Sequence, residues 1–284
     1  MTGPRVELLD AVCPRPGGQL LGQFHNPEGP ASDSQGNIFV ADETNHRVQQ
    51  ISSDGTPLWS LGALDPDGRP RYGTAPGQFF MVRGVGVDDD NLFVGDSWNQ
   101  RVQKFDPSGN FQMLFGSYGR GPGQFGGSGP NGLTFDQDGH IYVSDTHTYL
   151  GGNNRVQKFD HRGRFLLAIG EHGRGAGQFA GRSPLRGRYG HEINRGVTSP
   201  EGPYGLGVGK VSGNLYVSDT ENNRIQVFDL QGNFLRSIGE GVIFQPRQIF
   251  LDSRENIYAA GFHYPPDIDG IGPVVAVGPQ HRFL

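Results

Sequence analysis

The chain has one cysteine, Cys13, in 284 residues. No disulfide can form within it, so the fold does not depend on an oxidising compartment. No apolar run approaches the ~18 residues that a membrane helix needs. There is no block of like charge either: 24 Lys and Arg stand against 29 Asp and Glu, a net charge of -5. That balance argues against a basic face for nucleic acid or anionic lipid. The opening stretch, Met1-Thr2-Gly3-Pro4-Arg5 before Val6-Glu7-Leu8-Leu9-Asp10, is too short and too polar for a secretion signal. The expectation is a cytoplasmic protein with no membrane and no nucleic-acid partner.

Glycine, by contrast, is abundant. The chain has 47 glycines, more than twice the usual share of about 7%. They show no G-X-Y period and no single tract. Glycine spread evenly between short apolar runs marks many tight turns, hence many short strands.

Five segments of the chain align. Their first halves are Pro27-Glu28-Gly29-Pro30 to Asp42, Val82-Arg83-Gly84-Val85 to Asp96, and Pro130-Asn131-Gly132-Leu133 to Asp145. Pro203-Tyr204-Gly205-Leu206 to Asp219 and Pro246-Arg247-Gln248-Ile249 to Ala260 complete the set. Four continue into a second half that alternates in the strand period: Arg47-Val48-Gln49, Arg101-Val102-Gln103, Arg155-Val156-Gln157 and Arg224-Ile225-Gln226. A Gly turn and one more short run follow each. The unit is therefore four short strands. Such a sheet cannot bury both faces alone, so copies must stack around an axis.

The signature Asp-x-x-Asn-x-Arg closes the second strand, as Asp42/Asn45/Arg47, Asp96/Asn99/Arg101 and Asp219/Asn222/Arg224. The third copy, Asp145/Asn153/Arg155, carries five extra residues. This pattern resembles the NHL repeat family over most of the chain. The resemblance implies an all-β fold, a single β-propeller of four-stranded blades spanning residues 1–284. The fifth segment lacks a clear second half, and the N-terminus looks like a second half without a first. Pairing them closes the ring with N- and C-terminal strands and gives five blades. Reading Pro273-Val274-Val275-Ala276-Val277 as a further strand gives six. A residue present in every unit reads as architectural, with the repeated Asp accepting turn amides and pairing with Arg. The Gly-Gln-Phe motif at Gly22, Gly77, Gly123 and Gly177 reads as a linker whose Phe lies between sheets.

One position varies. Just before the innermost strand the units carry Glu28, Arg83, Asn131, Tyr204 and Arg247. These five hydrogen-bonding groups, converging on a polar funnel at one mouth, point to a small-molecule ligand. Arg83 and Arg247 suit a carboxylate or an oxyanion. Glu28 suits a base, and Tyr204 a proton donor or acceptor. The expected function is a lyase, a hydrolase or a proton-transfer rearrangement on an anionic or carbonyl-bearing substrate. The alternative is a non-catalytic scaffold that binds a protein through the rim or the insertion at 180–201.

Two further resemblances bear on the site. Glu28-Gly29-Pro30 and Asn131-Gly132 are similar to the metal-holding places of the regucalcin/gluconolactonase and paraoxonase propellers. That likeness implies a divalent ion, calcium or zinc, on Glu28 and Asn131. The Asp which that group supplies from a later blade is Tyr204 here. Tyr142 to Phe159 resembles a blade of the peptidyl-hydroxyglycine amidating lyases, which use zinc-binding His with catalytic Arg and Tyr. The variable positions carry no His, which argues against zinc held by three histidines. The period breaks at 63–76, 147–152 and 180–201, and long loops on a rigid ring carry function. His147, His191 and His263 from such stretches are further candidates, His263 as a base and the other two for substrate.

Overall fold

A computed structural model of the chain describes residues 18–127, 129–146, 153–180, 202–240, 243, 245–261 and 275–277. These fall into two compact units that divide between Phe115 and Gly116. The first unit holds two sheets. One runs β1 (Pro27–Ser32), β2 (Ile38–Asp42), β3 (Arg47–Ile51), β4 (Pro57–Leu64) and a short β5 (Pro70–Arg71). The other runs β6 (Val82–Asp88), β7 (Asn91–Asp96), β8 (Arg101–Phe105) and β9 (Phe111–Phe115).

The second unit holds three larger sheets. The first is β10 (Leu133–Phe135), β11 (Ile141–Asp145), β12 (Arg155–Phe159) and β13 (Phe165–Ile169). A parallel pair follows, β14 (Glu171–Gly173) with β15 (Gln178–Ala180). Next comes β16 (Pro203–Val208), β17 (Leu215–Asp219), β18 (Arg224–Phe228) and β19 (Phe234–Ile238). The last is β20 (Pro246–Leu251), β21 (Ile257–Gly261) and β22 (Val275–Val277). The tail strand thus pairs with β21 as the third strand of this sheet. The expected N-terminal strand at residues 5–10 lies outside the described residues, as do 181–201. No helix among the described residues is long and apolar enough to cross a membrane.

Each signature Asp is the centre of a buried polar network. Asp42 is fully buried and accepts the His25 amide at 2.6 Å, the Asn45 amide at 2.9 Å, Arg47 Nε at 2.7 Å and Gln49 Nε2 at 2.9 Å. Arg47 then donates to the carbonyls of Gln19, Leu20 and Gln23, and Gln49 accepts the Gly22 amide. Side chains thus hold the linker to its sheet, helped by the Glu43 and Thr44 amides on the carbonyls of Asn26 and His25. The same set recurs at Asp96, Asp145 and Asp219, and the insertion before Asn153 leaves it intact. Four donors per carboxylate offset the cost of burying it.

The linker Phe fills the space between sheets. Phe79 is fully buried in one cluster with Phe39 and Val48 of the first sheet and Val85 and Val94 of the second. Phe179 joins Tyr142 and Ile169 to Leu206 and Val217 in the same way. Burying each such ring is worth about 1.5–3 kcal/mol.

The innermost strands carry a bulge, one extra residue against the partner strand. It falls between Glu28 and Ala31, Val82 and Val85, Pro203 and Leu206, and Pro246 and Ile249. In the second unit a serine on the next strand satisfies it. Ser144 Oγ accepts the Gly132 amide at 2.7 Å and donates to the Tyr204 carbonyl at 2.7 Å. Ser218 Oγ accepts the Gly205 amide at 2.7 Å and donates to the Arg247 carbonyl at 2.6 Å. Glycine is required here by contact. A Cβ on Gly29, Gly132 or Gly205 would lie 2.5, 2.2 or 2.3 Å from the carbonyl oxygen of Arg83, Tyr204 or Arg247 on the neighbouring sheet.

After Asp42, Asp96 and Asp219 a tight turn ends on a left-handed residue, His46 (φ 54), Gln100 (φ 49) and Asn223 (φ 55), and Asn154 (φ 51) is left-handed at the corresponding place. Asn223 Oδ1 accepts the Gln245 amide at 2.9 Å, and His46 Nδ1 accepts the Met81 amide at 3.1 Å. His46 is the same acceptor in imidazole form, with its proton on Nε2. Burial holds its pKa below the ordinary value, against the pull of Glu43 and Asp42.

Two predictions follow from these contacts. Gly205→Ala should lower the unfolding free energy by about 2–3 kcal/mol or more, read from urea midpoints; a loss under about 0.5 kcal/mol would contradict the contact. A base whose folded pKa is depressed binds its proton more readily in the unfolded chain, so stability falls with pH through the ordinary histidine range. His46→Asn keeps the acceptor and removes the titration. It should lose less stability than the native chain between about pH 8 and about pH 5.5, and equal losses would refute the assignment.

Candidate functional site

The variable residues stand inside the innermost strands, at the bulge, rather than just before them, except that Asn131 precedes β10. In the first unit, Glu28 and Arg83 lie on β1 and β6, joined by the approach of Gly29 to the Arg83 carbonyl. Arg83 Nε donates to Glu43 Oε1 at 2.8 Å, with the two side chains 11% and 4% exposed. Asn26 Nδ2 also donates to Glu43. The guanidinium that the sequence offers as a free clamp is therefore bound to a buried carboxylate.

Sequence reasoning passed over Glu43. A signal was available: the residue after the signature Asp is a small hydroxyl at Ser97, Thr146 and Thr220. Those hydroxyls bond backbone. Ser97 donates to the Gly95 carbonyl at 3.4 Å, Thr146 accepts the Gly202 amide at 2.8 Å and Thr220 donates to the Pro246 carbonyl at 2.7 Å. Glu43 is the charged exception.

In the second unit the structure brings Tyr204 and Arg247 together. The Arg247 guanidinium lies over the Tyr204 ring, 5.2 Å from its centroid. Such a contact is worth about 0.5–2 kcal/mol. Tyr204 is 2% exposed and Asn131 is fully buried, while Arg247 is half-buried. Asn131 is tied to the same edge through Gly132, which abuts the Tyr204 carbonyl. The arrangement sets a cation on an aromatic floor. His147, His191 and His263 lie outside the described residues.

Among the described residues Asp136, Asp138 and His140 present ligand atoms within 4.8 Å of one another. They do not fit an ion. The Asp136 carboxylate already holds Lys158 Nζ at 3.2 Å, the Tyr142 hydroxyl at 3.0 Å, His140 Nδ1 at 3.0 Å and two turn amides. Burial pushes its pKa up, but these bonds outweigh that and hold it below the ordinary value. Burial and Asp136 in turn push the Tyr142 phenol up. Asn37 and Asn256 bond the equivalent aspartates, Asp33 and Asp252, in the first hairpins of other sheets, and Asn110 and Asn233 bond Asp106 and Asp229 likewise in later hairpins, so His140 takes a structural place.

Comparison with known proteins agrees with this architecture. The NHL repeat matches residues 24–51, 128–159 and 202–228. Peptidyl-glycine alpha-amidating monooxygenase B of Xenopus laevis is 33% identical over 156 residues, 51% of this chain and 16% of that protein. The chain thus spans about one sixth of that relative. A gluconolactonase of Xanthomonas campestris superposes with a TM-score of 0.60 at 18% identity, over 98% of this chain and 81% of that one. A streptogramin B lyase superposes with a TM-score of 0.55 at 12% identity, over 91% of this chain and 67% of that one. At such identities the structural likeness speaks for fold alone. The chain carries NHL repeats and has the β-propeller fold.

Proposed function

We propose that the protein is a small-molecule enzyme, a hydrolase or lyase, acting on an anionic or carbonyl-bearing substrate. The observation that carries this reading is the Arg247 guanidinium held over the Tyr204 ring. A guanidinium held in this way is suited to a carboxylate or to a developing oxyanion, because it needs no reorganisation as charge appears. Tyr204 acts as the floor that positions Arg247, and Asn131 supports the same edge. In the first unit Glu43 holds the Arg83 guanidinium. The solved gluconolactonase and lyase neighbours make these reaction classes the ones to assay first. No step of the reading runs through a metal. The scaffold alternative draws on exposed leucines at equivalent places on outermost strands, Leu58, Leu166 and Leu235.

The test is turnover by the purified chain on glucono-δ-lactone and a panel of lactones, esters and β-eliminating substrates, with and without chelator. Arg247→Ala should cost about 100-fold or more in kcat/KM with the melting temperature nearly unchanged. Tyr204→Phe keeps the ring and should stay within about tenfold of the native rate. Full activity in Arg247→Ala would sink the proposal.

A further inference from the structure

One edge of the first unit carries a group of rings that neither the repeat nor the proposed chemistry uses. Tyr72 and Phe80 stack, with centroids 5.0 Å apart and planes inclined by 30°. Trp98 also meets Phe80, centroid to centroid at 5.3 Å. His46 meets Tyr72 and Phe80 edge-on, at 6.0 and 5.5 Å. His46 and Phe80 are half-buried, whereas Tyr72 is 62% and Trp98 44% exposed.

At three of these places the fold does not require a ring. Trp98 occupies the turn position held by Thr44 and Glu221 in other sheets. Phe80 follows the Gly-Gln-Phe linker, where His25, Gly126 and Ala180 stand elsewhere. His46 takes the left-handed position of Gln100, Asn154 and Asn223. Tyr72 precedes the glycine of the linker, as Tyr118 and His172 do elsewhere, and here it follows directly on β5, a strand the other sheets lack among the described residues. Three repeat positions thus turn aromatic beside Tyr72 at a single junction. Two of the four rings stay largely in water, which core packing alone would not select.

We propose that this stack is a binding site for a flat aromatic group of a ligand. Rings pair in offset-stacked or edge-to-face geometry at centroid separations of about 4.5–7 Å. Tyr72 and Phe80 already form such a stack, and Tyr72 is its exposed member. The next layer of that stack is another flat ring, with Trp98 beside it. His46 accepts a backbone amide on Nδ1 and so closes the site as a neutral ring. Among the side chains of the cluster no carboxylate or ammonium competes for the ring. This inference stands independently of the enzymatic reading and uses none of its residues.

The chain has two tryptophans, Trp59 and Trp98. Trp59→Phe therefore leaves Trp98 as the only fluorescent reporter. The full chain carrying that change is titrated with N-acetyl-phenylalaninamide, with N-acetyl-leucinamide and glucose as matched controls. The expected result is a saturable change in Trp98 emission with the aromatic amide and none with either control. Tyr72→Ala should weaken that binding about threefold to tenfold. Should Tyr72→Ala fail to fold, Tyr72→Leu keeps apolar bulk without a π face and should weaken it equally. No saturable change with the aromatic amide would overturn the proposal. So would an equal response to leucinamide or glucose, or binding left intact by the Tyr72 substitution.

Discussion

A carboxylate with no exposure to water, fed by an amide, an asparagine, an arginine and a glutamine, holds each linker to its sheet. Burial pushes the carboxyls of Asp96, Asp145 and Asp219 up, and the donors around them pull the other way. The balance makes the network all-or-none: a lost donor leaves a buried acceptor that water cannot reach. The arginine then spends its remaining protons on carbonyls of the incoming loop, as Arg101 does on Ala75 and Gln78 and Arg224 on Gly175 and Gln178. The path of the chain between sheets is thereby set without a helix and without a disulfide.

That constraint frees the next position along. With the sheet edge fixed by the aspartate and the bulge fixed by glycine against a neighbouring carbonyl, the residue at the bulge has no architectural duty left. Glu28, Arg83, Asn131, Tyr204 and Arg247 occupy equivalent places with different chemistry because the fold tolerates any of them there. Arg247 over Tyr204 and Arg83 on Glu43 show two ways of holding a guanidinium still: one with an aromatic face, one with a carboxylate.

Much of this is legible in the sequence, and what is not has a physical reason. The roles of Asp42, Asn45 and Arg47 are readable because they recur at fixed spacing and side chains of those types pair predictably. Gln49 makes equally many contacts to the network, yet inside an alternating strand it looks like any polar residue. Glu43 escapes because its partner Arg83 lies forty residues away on the adjacent sheet. Ser144 and Ser218 escape because a hydroxyl that serves a bulge and a neighbouring carbonyl at once is a property of packed sheets, not of one strand. The stack of Tyr72 on Phe80 escapes because Tyr72 stands where Tyr118 and His172 stand in other linkers, while its partner Phe80 replaces Gly126 and Ala180. How deeply Asn131 and Tyr204 are covered is not legible either, since the convergence of five polar groups does not fix the burial of each.

The central claim is that the buried aspartate network ties each of the four Gly-Gln-Phe linkers to its sheet. Native-state hydrogen exchange of the donor amides tests it most directly, at Gly22, Gly77, Gly123 and Gly177 and at Phe80, Gly126 and Ala180. These amides lie outside regular strand pairing or at its ends, so only the side-chain network protects them. The account predicts that they exchange as slowly as the central strands, opening only with global unfolding. Exchange as fast as that of an exposed turn such as Gly68 would contradict it.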